Sequence, residues 1–193
     1  MRKSLCVPMI LLCLLLPGCG AEEERKDPRE AYQDMAGCVM EATVTCDQAG
    51  YEWEATLSCT YVPGGETTVE VVAPETIAGI RAVLSDEDWR LEYQDLCLDM
   101  GTLSDEEIGP VDCLPRLMEA LRSGWLLEEN EENWKEEPCV RLTVDQTGEN
   151  GKILSTLWLR QSDGTPVRGE IAVDGEIIFT AEFTSFIFCD TIN

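Results

Sequence analysis

The sequence predicts a mainly β fold (α+β), a curved antiparallel sheet with few helices, and three observations predict it. Apolar and polar residues alternate in run after run between Cys38 and Phe188. Turns containing Gly, Pro or Asn/Asp punctuate those runs, and only two stretches carry the period of an amphipathic helix. The runs amount to about nine or ten short strands in one mature domain, and a sheet of that size curls, splits or closes.

The chain opens with Arg2 and Lys3, continues through the almost uncharged apolar run from Leu5 to Leu16, and reaches Pro17-Gly18-Cys19 before Glu22-Glu23-Glu24. This order is that of a signal peptide, and the apolar run is shorter than the ~20 residues a membrane-spanning helix needs. Its end, Leu16-Pro17-Gly18-Cys19, resembles the lipobox of bacterial lipoproteins, with Pro17 standing where the pattern prefers a small or β-branched residue. The resemblance implies removal of residues 1–18, a diacylglyceryl group on the Cys19 sulfur, and attachment to the extracytoplasmic face of the cell membrane. Residues 19–27 then serve as anchor and tether, and residues 28–193 as the folded domain.

Charge narrows the partners. The signal peptide carries two of the 14 basic residues and none of the 38 acidic ones, which leaves 12 − 38 = −26 on the mature chain. Nucleic acid is excluded as a partner, because phosphate binding draws on clustered Lys and Arg. An anionic bilayer repels such a protein, so a covalent anchor has a purpose. The chain has no histidine, which removes Ser-His-Asp and Cys-His catalysis and every histidine-bearing metal site. Of the ten cysteines, Cys6 and Cys13 leave with the signal and Cys19 is the anchor; the remaining seven contain no C-x-x-C pair. No metal and no cofactor are expected.

Within the domain, Asp27-Pro28 starts a short helix that runs to Ala36, with Gly37 ending it. Then comes a hairpin whose apolar face is Cys38, Met40, Ala42, Val44 and Cys46 on one strand and Tyr51, Trp53, Ala55, Leu57, Cys59 and Tyr61 on the other. A four-residue turn at 47–50 sets Cys46 opposite Tyr51, Val44 opposite Trp53, Met40 opposite Leu57 and Cys38 opposite Cys59. That register makes Cys38 and Cys59 the expected disulfide. Thr67 to Ala73 forms the next strand and Pro74 stops it. Ile80, Ala82 and Leu84 alternate, then Trp89, Leu91 and Tyr93; Leu96 to Met100 is a further strand or an extended connector.

The clearest helix runs from Leu114 to Ser123. Leu114, Leu117, Met118 and Leu121 make one apolar stripe, Pro115 sits at its start and Gly124 at its end. Glu128-Glu129-Asn130-Glu131-Glu132 reads as a loop or exposed hairpin end. Strands return with Val140, Leu142 and Val144, with Ile153, Leu157 and Leu159 after Asn150-Gly151, and with Val167, Ile171 and Val173. Asp174-Gly175 then turns the chain into Ile177, Phe179, Ala181 and Phe183, with Phe186 and Phe188 behind. Asp145 to Glu149 lacks the glycine and closing glutamate of a calcium loop and reads as a turn.

Two helices of about 15 Å each, at 1.5 Å per residue, cannot cover the apolar face of so large a sheet. Either the sheet closes on itself or a hollow remains. Here Tyr51-Glu52-Trp53, Val71-Val72-Ala73-Pro74, Leu91-Glu92-Tyr93, Leu114-Pro115, Thr156-Leu157-Trp158-Leu159-Arg160, Gly164-Thr165-Pro166 and Glu170-Ile171 resemble the LolA, LppX and RseB superfamily of lipoprotein-related domains over residues 28–188. The resemblance implies an unclosed half-barrel with short helices in its mouth as a lid, holding lipid or the acyl groups of lipoproteins.

The expected function is therefore that of an anchored, non-enzymatic binder of a lipid or an acylated partner, in lipid or lipoprotein trafficking. The lid helix (Leu114, Leu117, Met118, Leu121) moves aside and a chain packs against Met40, Ala42, Val44, Trp53, Ala55 and Leu57. The alternative is an RseB-like envelope sensor or protein-interaction module. Carboxylate pairs such as Asp86 and Asp88, or Glu131 and Glu132, lie in charge-rich stretches and read as solvated surface rather than as a glycosidase pair.

Overall fold

A computed structural model of the chain describes residues 27–48, 51–85, 88–101, 108–147 and 152–190. The expected signal peptide, Cys19, nearly all of the expected tether, Asp86 and the expected turn at Asn150-Gly151 lie outside these residues. The described chain runs α1 (Glu30–Asp34), β1 (Gly37–Gln48), β2 (Tyr51–Tyr61), β3 (Thr67–Ala73), β4 (Arg81–Leu84), β5 (Trp89–Tyr93), β6 (Leu96–Gly101) and α2 (Cys113–Ser123). It continues with β7 (Trp125–Trp134), β8 (Glu137–Asp145), β9 (Ile153–Arg160), β10 (Pro166–Val173) and β11 (Glu176–Cys189).

All eleven strands form one antiparallel sheet in the order β6-β5-β4-β3-β2-β1-β11-β10-β9-β8-β7. Two meanders, β1 to β6 and β7 to β11, spread from the central β1/β11 pair, and among the described residues β6 and β7 are free edges. The sheet is an unclosed half-barrel. This topology explains the helix: the chain leaves the sheet at one edge, β6, and re-enters at the other, β7, so the connection has to cross the hollow. The crossing is α2, and its apolar stripe faces the sheet.

Several sequence expectations are corrected. Gln48 pairs with Tyr51, so the β1/β2 register differs by two from the expected one. Cys38 faces Tyr61, Met40 faces Cys59, Ala42 faces Leu57, Val44 faces Ala55 and Cys46 faces Trp53. A two-residue offset keeps every side chain on its expected face while changing its partner. Cys38 and Cys59 are consequently diagonal neighbours, and both are free thiols, as are the other five described cysteines. Residues 128–132, expected as a loop or an exposed hairpin end, lie within the exposed strand β7 of the β7/β8 hairpin, paired to β8 from Trp125↔Asp145 to Trp134↔Glu137. Of the two alternatives for Leu96 to Met100, the strand is the one found, paired to β5. The first helix is a single turn that starts at Glu30, with Asp27 Oδ1 accepting from the Arg29 amide at 2.8 Å, and Gly37 opens β1 rather than ending the helix.

Bulges re-aim two apolar residues. An irregularity between Ile171 and Ala172 leaves Ile177 half exposed while Ile178 and Phe179 turn inward. Another between Pro166 and Arg168 puts Val167 with Cys139 and Trp158 in a small cluster on the outer face. There the Arg168 guanidinium lies 4.5 Å from the Trp134 ring centre and is held by Glu170 at 2.6 Å.

The main core sits between the concave face and the helices. Met40, Ala42, Val44, Leu114, Leu117, Met118, Leu121, Leu142, Leu157 and Ile171 are all essentially solvent-free. Two glycines permit the close seat of α2: a Cβ on Gly169 of β10 would lie 2.6 Å from Leu117 Cδ1, and one on Gly124 would fall onto Val144 Cγ1. Helix α1 closes the end of the hollow beside α2. Its Tyr32 is fully buried against Phe186 and Phe188 and donates its hydroxyl hydrogen to Gly164 O at 2.6 Å.

Candidate functional site

Helix α2 contacts β2, β8, β9 and β10, and so covers only part of the concave face. Beside it, over β2 to β4, lies a cavity of about 270 Å³ open on one side. Trp53, Ala55 and Leu57 of β2, Val69 and Val71 of β3, and Ala82 of β4 form its floor. These are the inward members of three alternating strands, brought into line by the pairings Leu57↔Val71 and Val69↔Ala82. Ile77 and Ile80, from the turn before β4, form one wall, and Pro110 and Val111, which lead into α2, form another. The turn is fixed by backbone bonds from the Gly79 and Val71 amides to Val71 O and Ile80 O, each 2.9 Å.

Of the residues expected to bind a chain, Trp53, Ala55 and Leu57 line this cavity. Met40, Ala42, Val44, Leu114, Leu117, Met118 and Leu121 lie in the closed core under α2, where they pack on one another. Val69, Val71, Ile77, Ile80, Ala82, Pro110 and Val111 were not anticipated as lining. The β3 and β4 members carry an alternation signal in the sequence; Ile77, Pro110 and Val111 come from turns with no period to place them. The apolar face continues outward from the cavity through Leu91 to Leu98, its partner on β6, which with Leu96 and Met100 is exposed.

The polar groups around the helix are held in pairs. Tyr61 of β2 donates to Glu119 Oε2, and Arg122 Nε donates to the same oxygen at 3.0 Å. Burial alone would raise the Glu119 carboxyl, but hydrogen bonds from Arg122, Ser123 and Tyr61 together outweigh it and hold it below the usual carboxylate range. Asp112, at the foot of α2, goes the other way: burial raises it, and Arg116 at 3.6 Å offsets only part of that.

Three thiols of the concave face are held in their unreactive form. Burial pushes the Cys38 thiol up to about 12 and raises Cys59 and Cys113 as well, so these sulfurs stay protonated at neutral pH. Glu132 is engaged by Arg141 and by the Trp158 indole on the outer face, away from the cavity. Among the described residues no three His, Cys, Asp or Glu side chains converge as a metal site, and no helix is long and apolar enough to cross a membrane. What the arrangement can do chemically is remove an apolar group from water.

No family model and no curated protein sequence matches the chain. Solved structures do. A conserved protein from Thermus thermophilus superposes with a TM-score of 0.51 at 12% identity, over 85% of each chain. LprF from Mycobacterium bovis is similar at a TM-score of 0.48 and 14% identity, over 86% of this chain and 91% of its own. A LolA superfamily protein from Nitrosomonas europaea is similar at 0.47 and 10% identity, over 86% of this chain and 92% of its own. At such identities the likeness is one of fold. The chain has the architecture expected of it, an unclosed antiparallel half-barrel with a helix laid across its hollow.

Proposed function

We propose that the protein is a membrane-anchored extracytoplasmic lipoprotein that binds a lipid or acyl chain in the cavity beside α2, in the service of lipid or lipoprotein trafficking. One observation carries this reading: an open cavity whose ten lining residues are all apolar, on a sheet face that the helices do not finish covering. Each buried methylene contributes about 0.8 kcal/mol, so affinity grows with chain length and needs no polar contact. Outward movement of α2 extends the groove toward Met40, Ala42 and Val44. Cys19 supplies the anchor that a chain of such negative charge needs near an anionic surface.

The test is native mass spectrometry of protein extracted from its own membrane. The expected result is a lipid adduct beyond the Cys19 modification; only the bare or self-lipidated mass counts against the reading. An RseB-like interaction module is the second reading, favoured by the exposed Leu96, Leu98 and Met100 on the edge strand β6. A protein partner whose capture survives Ala55→Trp supports that alternative.

A further inference from the structure

The surroundings of the cavity carry information about the head of its ligand. Every arginine among the described residues lies within 4.0 Å of a carboxylate. Arg81, between the lining residues Ile80 and Ala82, is held by Glu92 at 3.5 Å. Arg90 on the neighbouring strand is held by Glu92 at 2.9 Å and by Glu66 at 3.2 Å. Both alternate with inward-facing residues and so belong to the outer face, across the sheet from the cavity. Lys135 is taken by Glu182 at 2.6 Å, and Lys152 precedes β9, which β1, β11 and β10 separate from the β2 floor.

Among the described residues no charged side chain lines the cavity. Asp112 directly follows the lining residue Val111, is 8% exposed, and its Oδ1 has no hydrogen-bond donor. The single cation next to it, Arg116, is already matched to Asp112. Around this site the whole chain carries −24. A carboxylate or phosphate head at the mouth therefore meets no unmatched cation among the described residues and the repulsive field of the acidic chain, whereas an uncharged ester or alcohol is not opposed by that field. The volume restricts the ligand further: 270 Å³ falls just below the ~300–1,000 Å³ of pockets that enclose drug-sized molecules, so the cavity takes one chain.

We propose that the cavity selects a single hydrocarbon chain whose head bears no negative charge, an acyl ester in preference to a free fatty acid or an anionic phospholipid. This rests on the cavity being the binding site proposed above, and it adds the class of ligand. The full chain is titrated calorimetrically at neutral pH, below micellar concentrations, with three probes of equal chain length: monodecanoylglycerol, decanoate and decyltrimethylammonium.

The ester binds, the ammonium binds at least as tightly at low salt, and decanoate binds about tenfold or more weakly, a gap of ~1.4 kcal/mol that narrows as salt screens the field. Decanoate binding within about twofold of the ester, or more tightly, overturns the selectivity and leaves the cavity reading standing. Failure of all three probes to bind overturns both. Ala55→Trp separates cavity binding from surface adsorption: it abolishes the ester signal if the chain sits beside β2, and an unchanged signal also counts against the proposal.

Discussion

Tyr61 on β2 and Glu119 on α2 are joined by a 2.5 Å hydrogen bond, which ties the crossing helix to the strand that forms the cavity floor. Glu119 is held below the ordinary glutamate value of 4.5 by its donors in the folded state only. The stability this gives is fully present above pH 4.5 and is lost as pH falls through the lower folded value. Tyr61→Phe removes one donor, so it costs about 1 kcal/mol at neutral pH and makes the acid side of the stability profile shallower. Denaturant midpoints of both proteins, taken from neutral to acid pH, check this; parallel profiles would show that the bond is not coupled to Glu119.

The thiols give a second prediction. Cys38, Cys59 and Cys113 are buried and Cys97 is exposed, so alkylation of the folded protein at mildly alkaline pH labels Cys97 and spares the other three until denaturant is added. The Cys38 pKa is raised from 9.0 to about 12, so its contribution to stability is present below pH 9 and declines as pH rises toward 12. Cys38 faces Tyr61 and Cys59 faces Met40, which sets the two cysteines on a diagonal of about 7–8 Å, beyond the usual span of a disulfide. Peptide mapping without reductant is expected to find them unlinked.

The parts of this fold that were legible in the sequence are those where a period is tied to burial. Met40, Ala42 and Val44 alternate because one face of β1 is dry, and Leu114, Leu117, Met118 and Leu121 recur because one stripe of α2 meets the sheet. Pairing was not legible to the same degree: a two-residue and a four-residue turn keep the same faces, so only the backbone at Gln48 and Tyr51 decides between them. Strand β7 was hidden by its composition. Glu128 and Glu132 have little preference for a strand, and it is Arg141 on β8, 3.3 Å from one and 3.5 Å from the other, that holds them along it. Part of the cavity was hidden because Ile77, Pro110 and Val111 reach it from turns, where no spacing announces which way a side chain points.

Gly169 sets how deeply α2 can sit. A methyl there meets Leu117 Cδ1 at 2.6 Å, and Leu117 is fully buried with little room to turn. Gly169→Ala is expected to cost about 1–3 kcal/mol through overpacking. Combining it with Leu117→Ala removes the clash but leaves a hole, so the double variant is less destabilised than the sum of the two single changes. Thermal melts of the four proteins measure this coupling; strict additivity would place the contact outside the helix seat.

Ala55 offers the most direct change at the cavity itself. It lies on the floor between Trp53 and Leu57, where it is buried and lines the cavity. A tryptophan here has room to enter the cavity and fill it with its own apolar surface. Ala55→Trp is therefore expected to leave the melting temperature within a few degrees of the parent, since filling apolar space offsets the strain of the added bulk. The same change abolishes capture of an apolar chain. Leu117→Ala makes the opposite pair of changes: it destabilises by about 2–5 kcal/mol, because it empties the core, and leaves cavity occupancy in the folded fraction intact. Lipid content and melting temperature measured on both variants separate the wall of the site from the core beneath the helix, and loss of lipid in Leu117→Ala alone would move the site under α2.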